Sequence, residues 1–192
     1  MSGAASPGRM LAELTEAELA ARARQDDRAA FGELTLRCRA SVVNVVYRMC
    51  GDLALAEEAA QEAFLRAWQK LDHFDPRYAF RNWVCRIALN AALDDLRRQR
   101  ETAALDEQAP DAAEAGPEQS LEERQRSQMV RRAVLSLPEA SRAVLILREY
   151  ERLSYQEIAA VLEIPTGTVM SRLNTARRLL RDKLSGALEE VK

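Results

Sequence analysis

The chain has 192 residues, 47% apolar and 30% charged, enough for one medium domain or two small ones. No run approaches the roughly 18–20 apolar residues of a membrane span, and the opening MSGAASPGRM has no hydrophobic signal core, so a cytoplasmic location without membrane insertion is expected. The net charge of −2 conceals its distribution: residues 1–100 carry 15 basic and 14 acidic side chains, 101–123 none and eight, and 124–192 carry 13 and eight. Cys38, Cys50 and Cys85 match neither a disulfide framework nor a zinc spacing and read as small core residues of a reduced protein. His73 is the single histidine, which argues against a histidine-based catalytic or metal site; no metal or cofactor is expected.

Residues 1–12 have little to bury and read as a disordered terminus, with Met10 as an alternative start. Thr15 and Glu18 have the spacing of a capping box and open a short helix to about Arg24. Asp26-Asp27 cap the next helix, from about Arg28 to Cys50. Its Phe31, Leu34, Cys38, Val42, Val45, Val46 and Met49 repeat every three or four residues until Gly51 stops it. A third helix, about Ala54–Leu71, turns Leu55, Ala59, Ala63, Ala67 and Leu71 inward. Glu57, Glu58, Gln61, Glu62, Leu65 and Gln69 are left for the other faces, an acidic side either solvated or offered to a basic partner, with composition favouring the first.

The stretch from Asp72 to Ala79 is a loop punctuated by Asp75-Pro76, and a fourth helix follows from about Phe80 to Arg100. Phe74, Tyr78, Phe80 and Trp83 fall within ten residues, flanked by Arg77, Arg81 and Arg86. Aromatics interleaved with arginines suit single-stranded nucleic acid, where bases stack on rings and phosphates meet guanidiniums. Alternatively the rings pin the loop to the core; this second reading is preferred for Trp83 and left open for Tyr78. Asn90 lies one turn after Arg86, and Arg97-Arg98-Gln99-Arg100 closes the helix with charges that complement its dipole or follow a phosphate track.

Residues 101–123, acidic and without a base, read as a flexible linker. Such a coil averages roughly 26 Å end to end and reaches about 70 Å when extended. Two helices, Arg124–Ser136 and Ser141–Tyr150, then meet at Leu137-Pro138. The last pair forms a helix-turn-helix. Ser154 with Glu157 opens the first helix, Ile164-Pro165-Thr166-Gly167 breaks it, with Gly167 supplying backbone freedom, and a second helix runs to about Leu184. Val169, Leu173, Ala176, Leu180 and Leu184 form its apolar stripe, and Thr166–Lys183 carries five basic residues against one acid. That is how a recognition helix is offered to a major groove; an ordinary helical hairpin with a solvated face is the plainer alternative. The fold class expected is all-α: two small helical domains, 13–100 and 124–185, joined by the flexible acidic linker, with a tail at 186–192.

These motifs resemble the extracytoplasmic-function (ECF) subgroup of bacterial sigma factors. Ala56-Glu57-Glu58-Ala59-Ala60-Gln61-Glu62-Ala63-Phe64 and Phe80-Arg81-Asn82-Trp83-Val84-Cys85-Arg86-Ile87-Ala88-Leu89-Asn90 are similar to two segments of sigma region 2. Leu137-Pro138, Ser154–Ala159 and Pro165–Arg172 are similar to region 4, and the likeness covers about residues 25–185. The resemblance implies a specificity subunit with no chemistry of its own, and not an enzyme. Glu58, Gln61, Glu62 and Leu65 would bind core RNA polymerase. Phe74, Arg77, Tyr78, Phe80, Arg86, Asn90, Arg97 and Arg98 would melt and hold the minus-ten element as single strand, base flipping costing a few kcal/mol. Thr168, Met170, Ser171, Arg172, Asn174, Thr175 and Arg177 would read the minus-thirty-five element as duplex.

The two elements lie about 50–60 Å apart at 3.4 Å per base pair, which the linker spans only when well extended. The family also threads this segment through the channel for nascent RNA, which its acids would suit; a solubilising spacer explains the charge equally well. An anti-sigma factor usually restrains such proteins. Met170 and Thr175 stand where several relatives carry arginine, so the promoter sequence is not transferable. The rival reading is a stand-alone helix-turn-helix regulator that binds closed duplex as a dimer and has no use for the aromatic loop.

Overall fold

The computed structural model describes residues 11–103 and 121–189, and every regular element among them is helical. The elements are α1 (Glu16–Ala23), α2 (Arg28–Cys50), α3 (Leu53–Gln69), a 3-10 turn (Leu71–His73), α4 (Phe80–Ala103), α5 (Leu121–Leu135), α6 (Glu139–Glu149), α7 (Tyr155–Leu162) and α8 (Thr166–Glu189). Helices α1–α4 form one helical unit and α5–α8 a second.

Local chemistry sets the helix starts. The Thr15 hydroxyl accepts from the Glu18 amide at 3.2 Å while the Glu18 carboxylate accepts from the Thr15 amide at 2.8 Å, a complete capping box, and Ser154 with Glu157 repeats it at α7. Asp27 caps α2 through the Ala30 amide, and Asp52 caps α3 through the Leu55 amide, which moves that start one residue ahead of the expected Ala54. Gly51, at φ 84°, ends α2 in the left-handed region as expected.

Several expectations need correction. The third helix ends at Gln69, and Leu71 belongs to the short 3-10 turn. Residues 11 and 12 are ordered against the molecule, because the Arg37 guanidinium donates to the carbonyls of Leu11, Ala12 and Leu14 at 2.8–3.1 Å; residues 1–10, including Met10, lie outside the described residues. The acidic segment is helical at both ends, with Glu101–Ala103 completing α4 and Leu121–Glu123 opening α5, as alanine and glutamate favour helix. Residues 104–120, the body of the expected flexible linker, lie outside the described residues. Gly167 needs no special geometry: Glu163, at φ 53°, takes the left-handed turn, and Gly167 sits inside the first turn of α8. The last helix also continues past the expected Leu184.

The core of the first unit is built on the apolar face of α2, from Ala30 and Leu34 to Met49, against the alanines of α3 (Ala56, Ala59, Ala60, Ala63, Ala67). Small side chains let these helices approach closely. An aromatic cluster closes the other end: Phe31 meets Trp68 and Phe80 edge-on at 4.9 and 6.0 Å, and Phe74 meets Phe80 and Trp83 at 5.4 and 5.3 Å.

In the second unit α6 is the hub, buried from Ser141 through Leu147. It also joins the units, which pack directly on one another. Arg142, 5% exposed, donates to the Met49 carbonyl at the end of α2 and to the Leu135 and Leu137 carbonyls of its own unit. Arg131 donates to the Gly51 carbonyl, and its guanidinium lies over the Tyr47 ring at 4.7 Å. Arg48 stacks on Tyr150 at 4.0 Å. Two arginines of the second unit thus satisfy carbonyls that the end of α2 leaves open.

Candidate nucleic-acid interface

The loop between the 3-10 turn and α4 is fastened at both ends by α1. At its entry the Arg24 guanidinium donates to the Leu71 carbonyl at 3.2 Å and to the Phe74 carbonyl. At its exit the Glu16 carboxylate accepts from the Phe80 amide at 2.9 Å, so a residue 64 positions earlier caps α4. Phe74 and Phe80 are 2% and 1% exposed. Both were expected to meet a base; here both rings are held in the aromatic cluster, because burial of a benzyl group is more favourable than leaving it in water, and Phe74 also lines the hollow beside Tyr78. Tyr78 is different. It stands 57% exposed at the tip of the pinned loop.

Beside Tyr78 the loop and α4 form a hollow lined by Asp75, Asn82, Trp83 and Arg86. Trp83 packs on the core cluster, the reading preferred for it, and also forms part of the hollow's wall. Asn82 was missed in the sequence, although its position one turn before Arg86 puts the two on one face of α4. Arg77 is bound to Asp75, its Nη2 donating at 2.5 Å, which holds the Asp75 carboxyl below its ordinary range and raises the guanidinium above its own. Asn90 is exposed farther along α4. Arg98 points elsewhere: it pairs with Asp95 at 2.7 Å and lines a groove between α3 and α4 together with Glu58 and Leu65. The side chain of Arg97 lies outside the described residues.

That second groove gathers Glu58, Gln61, Glu62 and Leu65 on the outer face of α3. Leu65 is 60% exposed, a large apolar side chain among carboxylates, and Glu62 is held by Arg66 at 2.7 Å.

The recognition helix α8 buries Val169, Leu173 and Ala176 against the second unit. Met170, Ser171, Asn174 and Arg177 face solvent, while Thr168, Arg172 and Thr175 are half-buried. The Ser171 hydroxyl donates to the Thr168 carbonyl at 3.0 Å, and Arg177 donates to Glu149 at 2.7 Å, a bond that raises its guanidinium pKa. Arg178 and Arg181, also exposed, extend the basic face.

Facing the loop hollow from across the unit boundary are Glu157, Ala160 and Val161 of α7. Asn82 donates to Glu157 at 3.4 Å, and Arg86 donates to Glu163 at 3.0 Å. Arg81 lies 3.6 Å from Glu151, which also accepts from the Ser41 hydroxyl. Hydrogen bonds from the Ser154 amide and hydroxyl hold the Glu157 carboxyl below its ordinary value. Among the described residues no group of three potential ligands could hold a metal, and no helix is long and apolar enough to cross a membrane.

Comparison with known proteins bears on both units. A sigma-70 region 2 family model matches residues 34–102, and a sigma-70 region 4 model matches residues 127–180. The ECF RNA polymerase sigma-E factor of Escherichia coli K12 is 36% identical over 188 residues, covering 91% of this chain and 97% of that protein. The RNA polymerase sigma-H factor of Pseudomonas aeruginosa is 33% identical over 193 residues, covering 95% and 100%. The solved structure of CnrH in complex with the cytosolic domain of CnrY superposes with a TM-score of 0.69 at 27% identity, covering 89% of this chain and 97% of that one. With both regions matched in order and full-length relatives above 30% identity, the chain belongs to the extracytoplasmic-function sigma factors of bacterial RNA polymerase.

Proposed function

We propose that this sigma factor works in the cytoplasm, where it holds the minus-ten element as single strand in the hollow around Tyr78 and reads the minus-thirty-five element as duplex with α8. The observation that carries the reading is Tyr78 itself: an exposed ring on a loop made rigid by buried Phe74 and Phe80, next to the polar wall of Asn82 and Arg86. A flipped base would stack on the Tyr78 ring and find hydrogen-bonding groups beside it. Arg86 and Asn90 follow the strand along α4, and Arg77 reaches it by exchanging Asp75 for a phosphate. Phe80 contributes rigidity to the loop from the core, and Phe74, packed against it, also lines the hollow.

On α8, Met170, Ser171, Asn174 and Arg177 are the groove-facing set, with Thr168, Arg172 and Thr175 at its margin. Glu58, Gln61, Glu62 and Leu65 dock on core polymerase, the exposed leucine supplying apolar area and the acids complementarity to a basic partner. An anti-sigma factor restrains the protein; the CnrH relative was solved with the cytosolic domain of a second protein.

The test is RNA synthesis in vitro from a promoter library with purified core polymerase. Specific start sites are expected only when core and this chain are both present. Tyr78→Ala is expected to lower initiation by about 5- to 150-fold, the equivalent of one lost stacking contact of about 1–3 kcal/mol. Binding to closed duplex without any directed initiation overturns the reading in favour of a stand-alone regulator.

A further inference from the structure

We infer that the recess where the end of α2 meets α5 is a binding site for a mononucleotide, its phosphates taken by three arginines and its base by the tyrosines among them. The recess shares no lining residue with the Tyr78 hollow or with the groove between α3 and α4, so this site is independent of the functions proposed for both. Its volume is about 470 Å³, within the roughly 300–1,000 Å³ of small-molecule pockets. Tyr47 and Arg48 come from α2, Arg126, Val130 and Arg131 from α5, and Tyr150 is the residue that closes α6.

The charge of the lining selects an anion. Three guanidiniums and no carboxylate face the recess. Elsewhere on α2 and α3 arginines are neutralised by a helical neighbour, Arg37 by Glu33 and Arg66 by Glu62. Arg48, Arg126 and Arg131 have no such partner among the described residues. The protein also leaves most of their donors unspent. Arg48 Nε has no hydrogen-bond partner among the described residues, and Arg131 gives one Nη to the Gly51 carbonyl. Guanidinium forks match the oxygens of a phosphate, and such charge-assisted bonds are among the strong ones.

Stacking holds two of these cations in place without neutralising them. Arg48 lies over the Tyr150 ring at 4.0 Å and Arg131 over the Tyr47 ring at 4.7 Å. Donors ordered in advance bind an anion without the entropic cost of fixing long side chains. A flat base has its own platforms here, since bases stack on phenol rings and on guanidinium planes alike, and Val130 adds apolar surface. Tyr150 is 42% exposed and accessible to such a ring. An inorganic anion would leave the rings unused. A nucleic-acid strand would need an open track, whereas these side chains converge from three segments on one recess.

The test is calorimetric titration of the full-length chain with ATP and with GTP at physiological ionic strength. Saturable binding of one nucleotide per chain is expected, about tenfold or more tighter than tripolyphosphate or the free nucleosides. Arg126→Glu should weaken it by about tenfold or more, and this exposed side chain has no ion pair to lose. Arg48→Gln should act in the same direction, with Arg126→Glu deciding if that variant misfolds. Arg28→Glu, at an exposed arginine on the first turn of α2 and outside the recess, should leave the affinity unchanged. No saturable binding of either nucleotide overturns the site, as does unchanged affinity in Arg126→Glu or an equal loss in Arg28→Glu. Tripolyphosphate binding as tightly as the nucleotides overturns the role of the rings. Displacement of the nucleotide by a duplex oligonucleotide of unrelated sequence overturns the assignment in favour of a nucleic-acid backbone contact.

Discussion

Arg142→Ala removes a buried guanidinium that ties three chain segments together. The side chain is 5% exposed and donates to the carbonyls of Met49, Leu135 and Leu137, of which the Met49 and Leu137 bonds are buried. Truncation leaves those two acceptors without their donor, at about 1–3 kcal/mol each, while the part-buried Leu135 carbonyl can recover a water. Lost packing of the arginine stem adds to this. The sum is about 3–5 kcal/mol, a fifth or more of the roughly 5–15 kcal/mol that holds a typical domain. With a urea slope of about 2 kcal/mol/M, the unfolding midpoint followed by circular dichroism should fall by about 1.5–2.5 M at an unchanged slope. Arg142→Lys keeps the charge but not the planar fork, so it should recover less than half of the loss. A midpoint shift worth under about 1 kcal/mol for the alanine variant, or full recovery by lysine, would refute the assignment of this side chain as a carbonyl clamp.

Gly51→Ala places a Cβ at φ 84° and 2.8 Å from a methyl carbon of Leu135, which can swing aside. The backbone term of about 1–2 kcal/mol should lower the melting temperature by about 3–8 °C, measured by thermal denaturation. The Cys38 and Cys85 thiols are pushed up to about 12, chiefly by burial, and should resist a thiol-specific reagent at pH 8. Half-buried Cys50 should react first, and all three should react in urea; rapid labelling of Cys85 in the native state would contradict its burial. Glu157 has a folded pKa below its ordinary 4.5, so its ionised form stabilises the fold above that value and the contribution is lost as pH falls below about 4.5 through the depressed value. Glu157→Gln should therefore cost about 0.5–1 kcal/mol at pH 7 and less at pH 3.5, as read from urea midpoints at the two pH values.

Features written within one turn of chain were legible in the sequence. Thr15 with Glu18 and Ser154 with Glu157 make the capping boxes their spacing announces, because donor and acceptor are three residues apart. Gly51 stops α2 for the same local reason. The apolar faces of α2 and α8 also follow from periodicity alone. What the sequence did not reveal depends on residues distant in the chain. Glu16 caps α4 from 64 positions away, and no local pattern records it. Phe74 and Tyr78 look equivalent as aromatics of one loop, yet Phe74 is buried against the cluster that Phe80 and Trp83 form with the distant Phe31, while Tyr78 stands exposed.

Arg142 illustrates the same limit. Its charge marks it as a surface residue, and only the meeting of the α2 and α6 ends gives its donors carbonyls to satisfy. Arg86 was picked out for its charge, but its carboxylate partner lies 77 residues on, in the second unit. Gly167 was assigned a conformational role that the neighbouring Glu163 performs, since Pro165 already forces the break and the left-handed residue precedes it.

The fastening of the Tyr78 loop by α1 bears on how the chain can be shortened. The two fasteners stand at the ends of an eight-residue helix near the N-terminus, Glu16 as its first residue and Arg24 as its C-cap, and Thr15 and Glu18 secure its first turn. Trimming up to Met10 leaves every one of these groups in place. Removing the few residues from Met10 through Glu16 would delete the cap of a helix that begins 64 positions downstream, so a fragment trimmed to the matched family region would retain the loop's sequence while losing what holds its shape.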